Sequence, residues 1–136
     1  MSKLENLKSL QPICLVATGR SGSEYLQALL DGHPEIITFN TNIRFFTEYL
    51  PTTVTWKNSE TVTSDFIDEF IGNNVNKLVT KYHWEEGQDK LGENRNQSLK
   101  INTDQFKKNF IRIMDNLDVK PASVLLGIYG AYHLCL

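Results

Sequence analysis

The chain of 136 residues is long enough for one modest domain or for part of a larger one. Hydrophobic residues make up 40% and charged residues 22%, which is typical of a soluble globular protein, and the net charge of -2 lacks the basic surplus that duplex nucleic acids require. The polar N-terminus, residues 1–11, is unlike a secretory signal, and no apolar run has the length of a membrane span, so we expect neither nucleic acid nor membrane as a partner.

The first predicted elements are a strand, a loop and a helix. Residues 12–17 form a short apolar run that ends at a glycine-containing loop, 18–23, and this pattern favours a buried strand of a parallel sheet. Residues 24–31 follow as a helix, which Gly32 and Pro34 end. One apolar stripe of this helix is predicted to face the core, and it consists of Tyr25, Leu26, Leu29 and Leu30.

The next segments are less regular. Residues 35–39 are predicted to form a second strand, and residues 43–50 a short helical or irregular segment. Residues 52–63 are polar and predict a loop. The side chains expected to be buried in the segment 43–50 are Phe45, Phe46, Tyr49 and Leu50.

Three helices are predicted in the remainder, with a polar loop at residues 85–100. Ser64 and Thr103 are expected to cap the first two helices, and Pro121 suits the first turn of the third. The inward faces of the first two are Phe66, Ile67, Phe70, Ile71, Val75, Leu78, Val79 and Tyr82, then Phe106, Phe110, Ile113, Met114 and Leu117. Together the elements predict an α/β fold of the P-loop type, with three layers and a parallel sheet.

The loop between the first strand and helix has the composition of an anion-binding site. Glycines at 19 and 22 let backbone N–H groups approach an oxyanion, and the helix N-terminus adds unpaired N–H groups and partial positive charge. Ser21 and Ser23 offer hydroxyl donors, and Arg20 brings a forked charge that suits phosphate or sulfate. Because no Lys follows Gly22, the loop differs from that of magnesium-dependent triphosphatases.

At these residues the sequence resembles a known family. The runs Ala-Thr-Gly-Arg-Ser-Gly-Ser-Glu-Tyr-Leu at 17–26 and Leu-Leu-Asp-Gly-His-Pro-Glu-Ile at 29–36 are similar to the opening of sulfotransferases that use 3'-phosphoadenosine 5'-phosphosulfate (PAPS). The resemblance implies that Arg20 acts catalytically by stabilising charge as the sulfuryl group leaves, toward a small-molecule or glycan acceptor and without a metal. It also implies a cofactor-binding set of Gly19, Arg20, Ser21, Gly22, Ser23, Glu24 and Tyr25.

Two departures from the family pattern leave the activity open. Many relatives carry a Glu base ahead of a Phe-Phe pair, whereas residues 41–44 here are Thr, Asn, Ile and Arg. The Arg and Ser that hold the 3'-phosphate in the family have no counterpart in this sequence. Glu48 is a possible replacement base or a surface carboxylate, and Arg44 either faces the anion or is solvated. His33 is interpreted as a structural residue at the end of a helix.

The last predicted helix is apolar on nearly every face. From this we expect residues 1–136 to be the N-terminal portion of one sulfotransferase-like domain, inactive alone and prone to self-association. The alternative function is a non-catalytic nucleotide-binding or assembly module.

Cys14 and Cys135 lie far apart in apolar segments and predict free thiols in a reducing cytoplasm.

Overall fold

The computed structural model describes residues 22–30, 33–39, 43–53, 60–78 and 100–136, together with Gln11, Ile13 and Thr18. Their regular elements are helices: α1 (Ser23–Leu30), a π-helical turn (Phe45–Tyr49), α2 (Leu50–Thr53), α3 (Glu60–Leu78), α4 (Thr103–Met114) and α5 (Pro121–His133). Within the part of the chain that the structure describes, none of the helices is long and apolar enough to cross a membrane.

The predicted parallel sheet, and with it the α/β fold of the P-loop type, is wrong, because the described residues contain helices and no sheet. The first predicted strand lies almost entirely outside these residues, and its one described member, Ile13, is 82% exposed. The second covers residues 35–39, which form the end of a turn and four residues without regular secondary structure.

Phe39 explains why residues 35–39 need no neighbouring strand. Its side chain is 2% exposed and lies among aromatic rings of α3 and α5. The centroid of its ring is 4.4 Å from that of Tyr132, 5.7 Å from that of Tyr129 and 6.2 Å from that of Phe70. An apolar extended run therefore buries its largest side chain between helices, a result that its sequence pattern cannot distinguish from burial in a sheet.

The core is formed where α4 packs between α3 and α5. The Phe70 ring of α3 and the Phe106 ring of α4 are nearly parallel, with centroids 6.1 Å apart. The predicted inward positions are confirmed for eight residues, all of them buried: Phe66, Ile67, Phe70, Leu78, Phe106, Phe110, Ile113 and Met114. On the surface, Lys107 Nζ of α4 lies 2.6 Å from Asp68 Oδ2 of α3, an exposed ion pair that adds about 1 kcal/mol at most.

The apolar helix α5 packs several of its side chains against the other described helices. Four of its side chains are almost fully buried against the other helices: Val124, Ile128, Ala131 and Tyr132. Gly127 lies so close to Phe110 of α4 that an added Cβ would be 2.9 Å from the Phe110 ring carbon Cε2. The helix begins with Pro121 in its first turn, as predicted, because proline there removes an N–H that has no partner in the helix.

The other two helices begin earlier than predicted, α4 by one residue and α3 by five. Asn102, not Thr103, is the N-cap of α4, and its Oδ1 accepts a hydrogen bond from the Gln105 N–H over 2.9 Å. Helix α3 begins at Glu60, four residues ahead of the expected cap Ser64, so the polar residues 60–63 are helical rather than part of a loop.

Candidate functional site

Gly22 carries the main geometric feature of the predicted anion-binding loop. Its φ angle is +75°, in the left-handed region that glycine adopts without steric cost, and it directly precedes α1. The first α-helical hydrogen bond runs from the Leu26 N–H to the Gly22 carbonyl oxygen over 3.0 Å. The N–H groups of residues 23–25 consequently have no acceptor within the helix and, with the helix dipole, can hold an oxyanion.

The space beside Gly22 is open. The residue is exposed, and a Cβ built on it would meet no atom within 4 Å. A glycine is therefore required here by its backbone angle and not by crowding. Among the described residues, none blocks the approach of an anionic group to the start of α1 from this side.

The structure brings four of the seven predicted cofactor-binding residues into one turn. Gly22 precedes α1, and Ser23, Glu24 and Tyr25 form its first three residues. The Tyr25 side chain is 71% exposed, whereas only the backbone is described for Ser23 and Glu24. Gly19, Arg20 and Ser21 lie outside the described residues, so the role of Arg20 stays a prediction.

The apolar stripe of α1 does not face the core, contrary to the prediction. Tyr25 is 71%, Leu29 61% and Leu26 41% exposed, and Leu30 is half-buried. The predicted parallel sheet would have supplied a surface for this helix to pack on, and the described residues contain none. Most of this stripe is open to solvent.

His33 supports the turn that follows α1, as predicted for a structural histidine. Its N–H donates to the Leu30 carbonyl oxygen over 3.2 Å, and its Nδ1 accepts a hydrogen bond from the Glu35 N–H over 3.2 Å. The Ile36 N–H then donates to the His33 carbonyl oxygen over 3.1 Å. These contacts stabilise the turn that precedes the half-buried residues 36–38 and the buried Phe39.

The Phe-Phe pair lies in the π-helical turn Phe45–Tyr49, in which the Leu50 N–H donates to the Phe45 carbonyl oxygen. Pro51 accounts for the wide turn, because its ring would clash with the carbonyl group four residues earlier in a regular α-helix. Phe45 and Tyr49 are 3% exposed, as predicted, but Phe46 is 61% exposed and its predicted burial is wrong. Consecutive side chains of a helical turn point in different directions, so the burial of Phe45 leaves its neighbour Phe46 outside the core.

Arg44 and Glu48, the two charged candidates of this segment, pair with each other. Arg44 Nη1 lies 3.5 Å from Glu48 Oε1, and the two side chains are 74% and 48% exposed. An exposed pair of this kind contributes about 0–1 kcal/mol and leaves both groups accessible to water. The geometry agrees with the interpretation of both residues as surface charges, and it assigns Glu48 no substrate-facing position.

Asn74 is a buried polar residue that the sequence pattern did not single out. It is 3% exposed, and its Nδ2 donates to the Tyr49 hydroxyl oxygen over 2.8 Å and to the Phe70 carbonyl oxygen over 2.9 Å. The amide thereby fastens the π-helical turn to α3. The one available signal was its spacing of four residues from Phe70, which places it on the apolar face of α3.

A second polar group is buried near the C-terminus. Asn109 is 3% exposed; its Nδ2 donates to Cys135 Sγ over 3.4 Å, and its Oδ1 accepts from Gln105 Nε2 over 3.0 Å. Burial raises the pKa of the Cys135 thiol, and the hydrogen bond from Asn109 opposes this in part. Cys135 is a free cysteine, as predicted, while Cys14 lies outside the described residues.

No group of three or more metal-binding side chains occurs within the described ranges.

Comparisons with protein-family models, curated proteins and solved structures find no match to this chain. The residues of the loop and the backbone geometry at the start of α1 are therefore the features that indicate a function.

Proposed function

We propose that this protein binds PAPS through residues 19–25 and transfers its sulfuryl group to a hydroxyl or amine acceptor, such as a small molecule or a glycan. The observation that carries the proposal is the left-handed Gly22 directly ahead of the N-terminus of α1. That backbone leaves three successive N–H groups available to the oxygens of one anion. The proposal depends on this loop and helix alone and requires no sheet.

The chain's own groups would divide the work at the 5' end of the nucleotide. The N–H groups at the start of α1 would hold phosphosulfate oxygens, and the Arg20 guanidinium would stabilise the negative charge left on the phosphate as the sulfuryl group leaves. PAPS supplies an activated sulfuryl group. Because a sulfuryl group carries less negative charge than a terminal phosphoryl group, one guanidinium and a helix terminus suffice without the Lys of triphosphatase loops.

The magnitudes agree with a site of moderate affinity. Each hydrogen bond to a charged group contributes about 1.5–3 kcal/mol, and the helix dipole adds about 0.3–1 kcal/mol. Since 1.4 kcal/mol is about tenfold in affinity, losing one arginine contact weakens binding by roughly 10- to 150-fold, from micromolar to about 10–150 μM. Because no residue that would bind the 3'-phosphate is identified in the sequence, we expect micromolar rather than tighter affinity for PAPS.

A non-catalytic nucleotide-binding module is the second candidate. The observation that favours it is the exposed Arg44–Glu48 pair, in which the carboxylate two residues after Phe46 lies 3.5 Å from a guanidinium nitrogen. Thr41 and Asn42 occupy positions where relatives carry a Glu, and neither side chain is a general base at neutral pH. Such a module would bind PAPS and would not transfer its sulfuryl group. In both cases we place the protein in the cytoplasm.

The binding test compares Arg20→Ala with Arg112→Ala, a matched removal of an exposed arginine from the last turn of α4. Each protein is titrated with PAPS and with adenosine 3',5'-bisphosphate by calorimetry. We expect Arg20→Ala to weaken PAPS binding by at least about tenfold, because one charge-assisted and bidentate contact is lost. Arg112→Ala should bind as the wild type does. Equal PAPS affinities in all three proteins would remove Arg20 from the site.

A transfer assay separates the two candidates. PAPS labelled in its sulfuryl group is incubated with a panel of glycans, phenols and amines in excess chelator, because the missing Lys predicts activity without magnesium. Labelled product supports the transferase. PAPS binding without product supports the module, and a failure to bind PAPS at millimolar concentration would contradict both.

A further inference from the structure

No further inference is drawn: the strongest candidate, the exposed apolar stripe of α1 formed by Tyr25, Leu26 and Leu29, carries none because nothing in the described residues shows what covers it.

Discussion

The close packing of α4 against α5 predicts that Gly127→Ala destabilises the protein. The same substitution at Gly72, an uncrowded glycine of α3, should stabilise it. At Gly127, an added Cβ would lie 2.9 Å from Phe110 Cε2 and 3.0 Å from Met114 Sδ. Carbon atoms in contact prefer about 3.5–4.0 Å, so the methyl group of alanine would overlap the ring by roughly half an ångström. Phe110 is fully buried and Met114 is 4% exposed, so neither side chain can move into solvent.

The magnitude follows from two opposing effects. Overpacking a core position costs about 1–3 kcal/mol, whereas alanine is favoured over glycine inside a helix by about 1 kcal/mol. We therefore expect Gly127→Ala to lower the free energy of unfolding by about 1 kcal/mol. Gly72, an exposed glycine within α3, is the matched control, because a Cβ there meets no atom within 4 Å. Gly72→Ala should raise the free energy of unfolding by about 1 kcal/mol.

Urea unfolding followed by far-UV circular dichroism measures both variants against the wild type, with the slope and midpoint fitted separately. The two variants should differ by about 2 kcal/mol, with opposite signs. If Gly127→Ala stabilised the protein as much as Gly72→Ala does, α5 would not approach Phe110 as closely as described here. That result would refute the packing of α4 against α5.

Three further predictions concern the loop, the π-helical turn and the half-buried thiol of Cys135. Gly22→Ala should weaken PAPS binding more than Gly22→Asn in calorimetric titrations, because asparagine tolerates the left-handed region better than alanine; equal losses would argue against the φ angle as the cause. Asn74→Leu should lower the free energy of unfolding by about 1–3 kcal/mol in urea, since it removes the buried hydrogen bond from Asn74 Nδ2 to the Tyr49 hydroxyl, and an unchanged midpoint would contradict that contact. Iodoacetamide should alkylate Cys135 more slowly than a free cysteine at pH 8, with the rate rising toward higher pH, because burial raises the pKa of this thiol; the Cys14→Ser variant isolates the signal, and a rate equal to that of free cysteine would contradict the burial.

Helix periodicity in the sequence was sufficient to predict α3, α4 and α5 and most of their buried faces. Phe66, Phe70, Phe106 and Phe110 recur at four-residue spacing, which places each pair on one side of a helix. Burial of this apolar side is the main contribution to the stability of the fold. The phenylalanines that the four-residue spacing placed on it are therefore the ones found in the core. Capping was less well determined, because Asn102 and Thr103 are both competent caps and only the observed hydrogen bond to Gln105 distinguishes them.

The sequence predicted a candidate site built from consecutive residues. The residues of that site that the structure describes, Gly22 and the first turn of α1, are consecutive in the chain. A glycine with a left-handed backbone and the helix that follows need only neighbouring residues to form, so Gly22 and α1 could be anticipated from the order of residues. The position of Arg20 relative to them lies outside the described residues and stays a prediction.

The sequence by itself determined where helices form in the second half of the chain and which of their faces are apolar. Only the tertiary structure decided what covers the short apolar segments, because a run such as residues 35–39 suits a sheet and a helical core equally well. Phe39 became part of a helical core through contacts with Tyr132 and Phe70, which lie far along the chain. The partners of the buried Asn74 and the exposure of Phe46 were settled in the same way, since both depend on which elements meet in space.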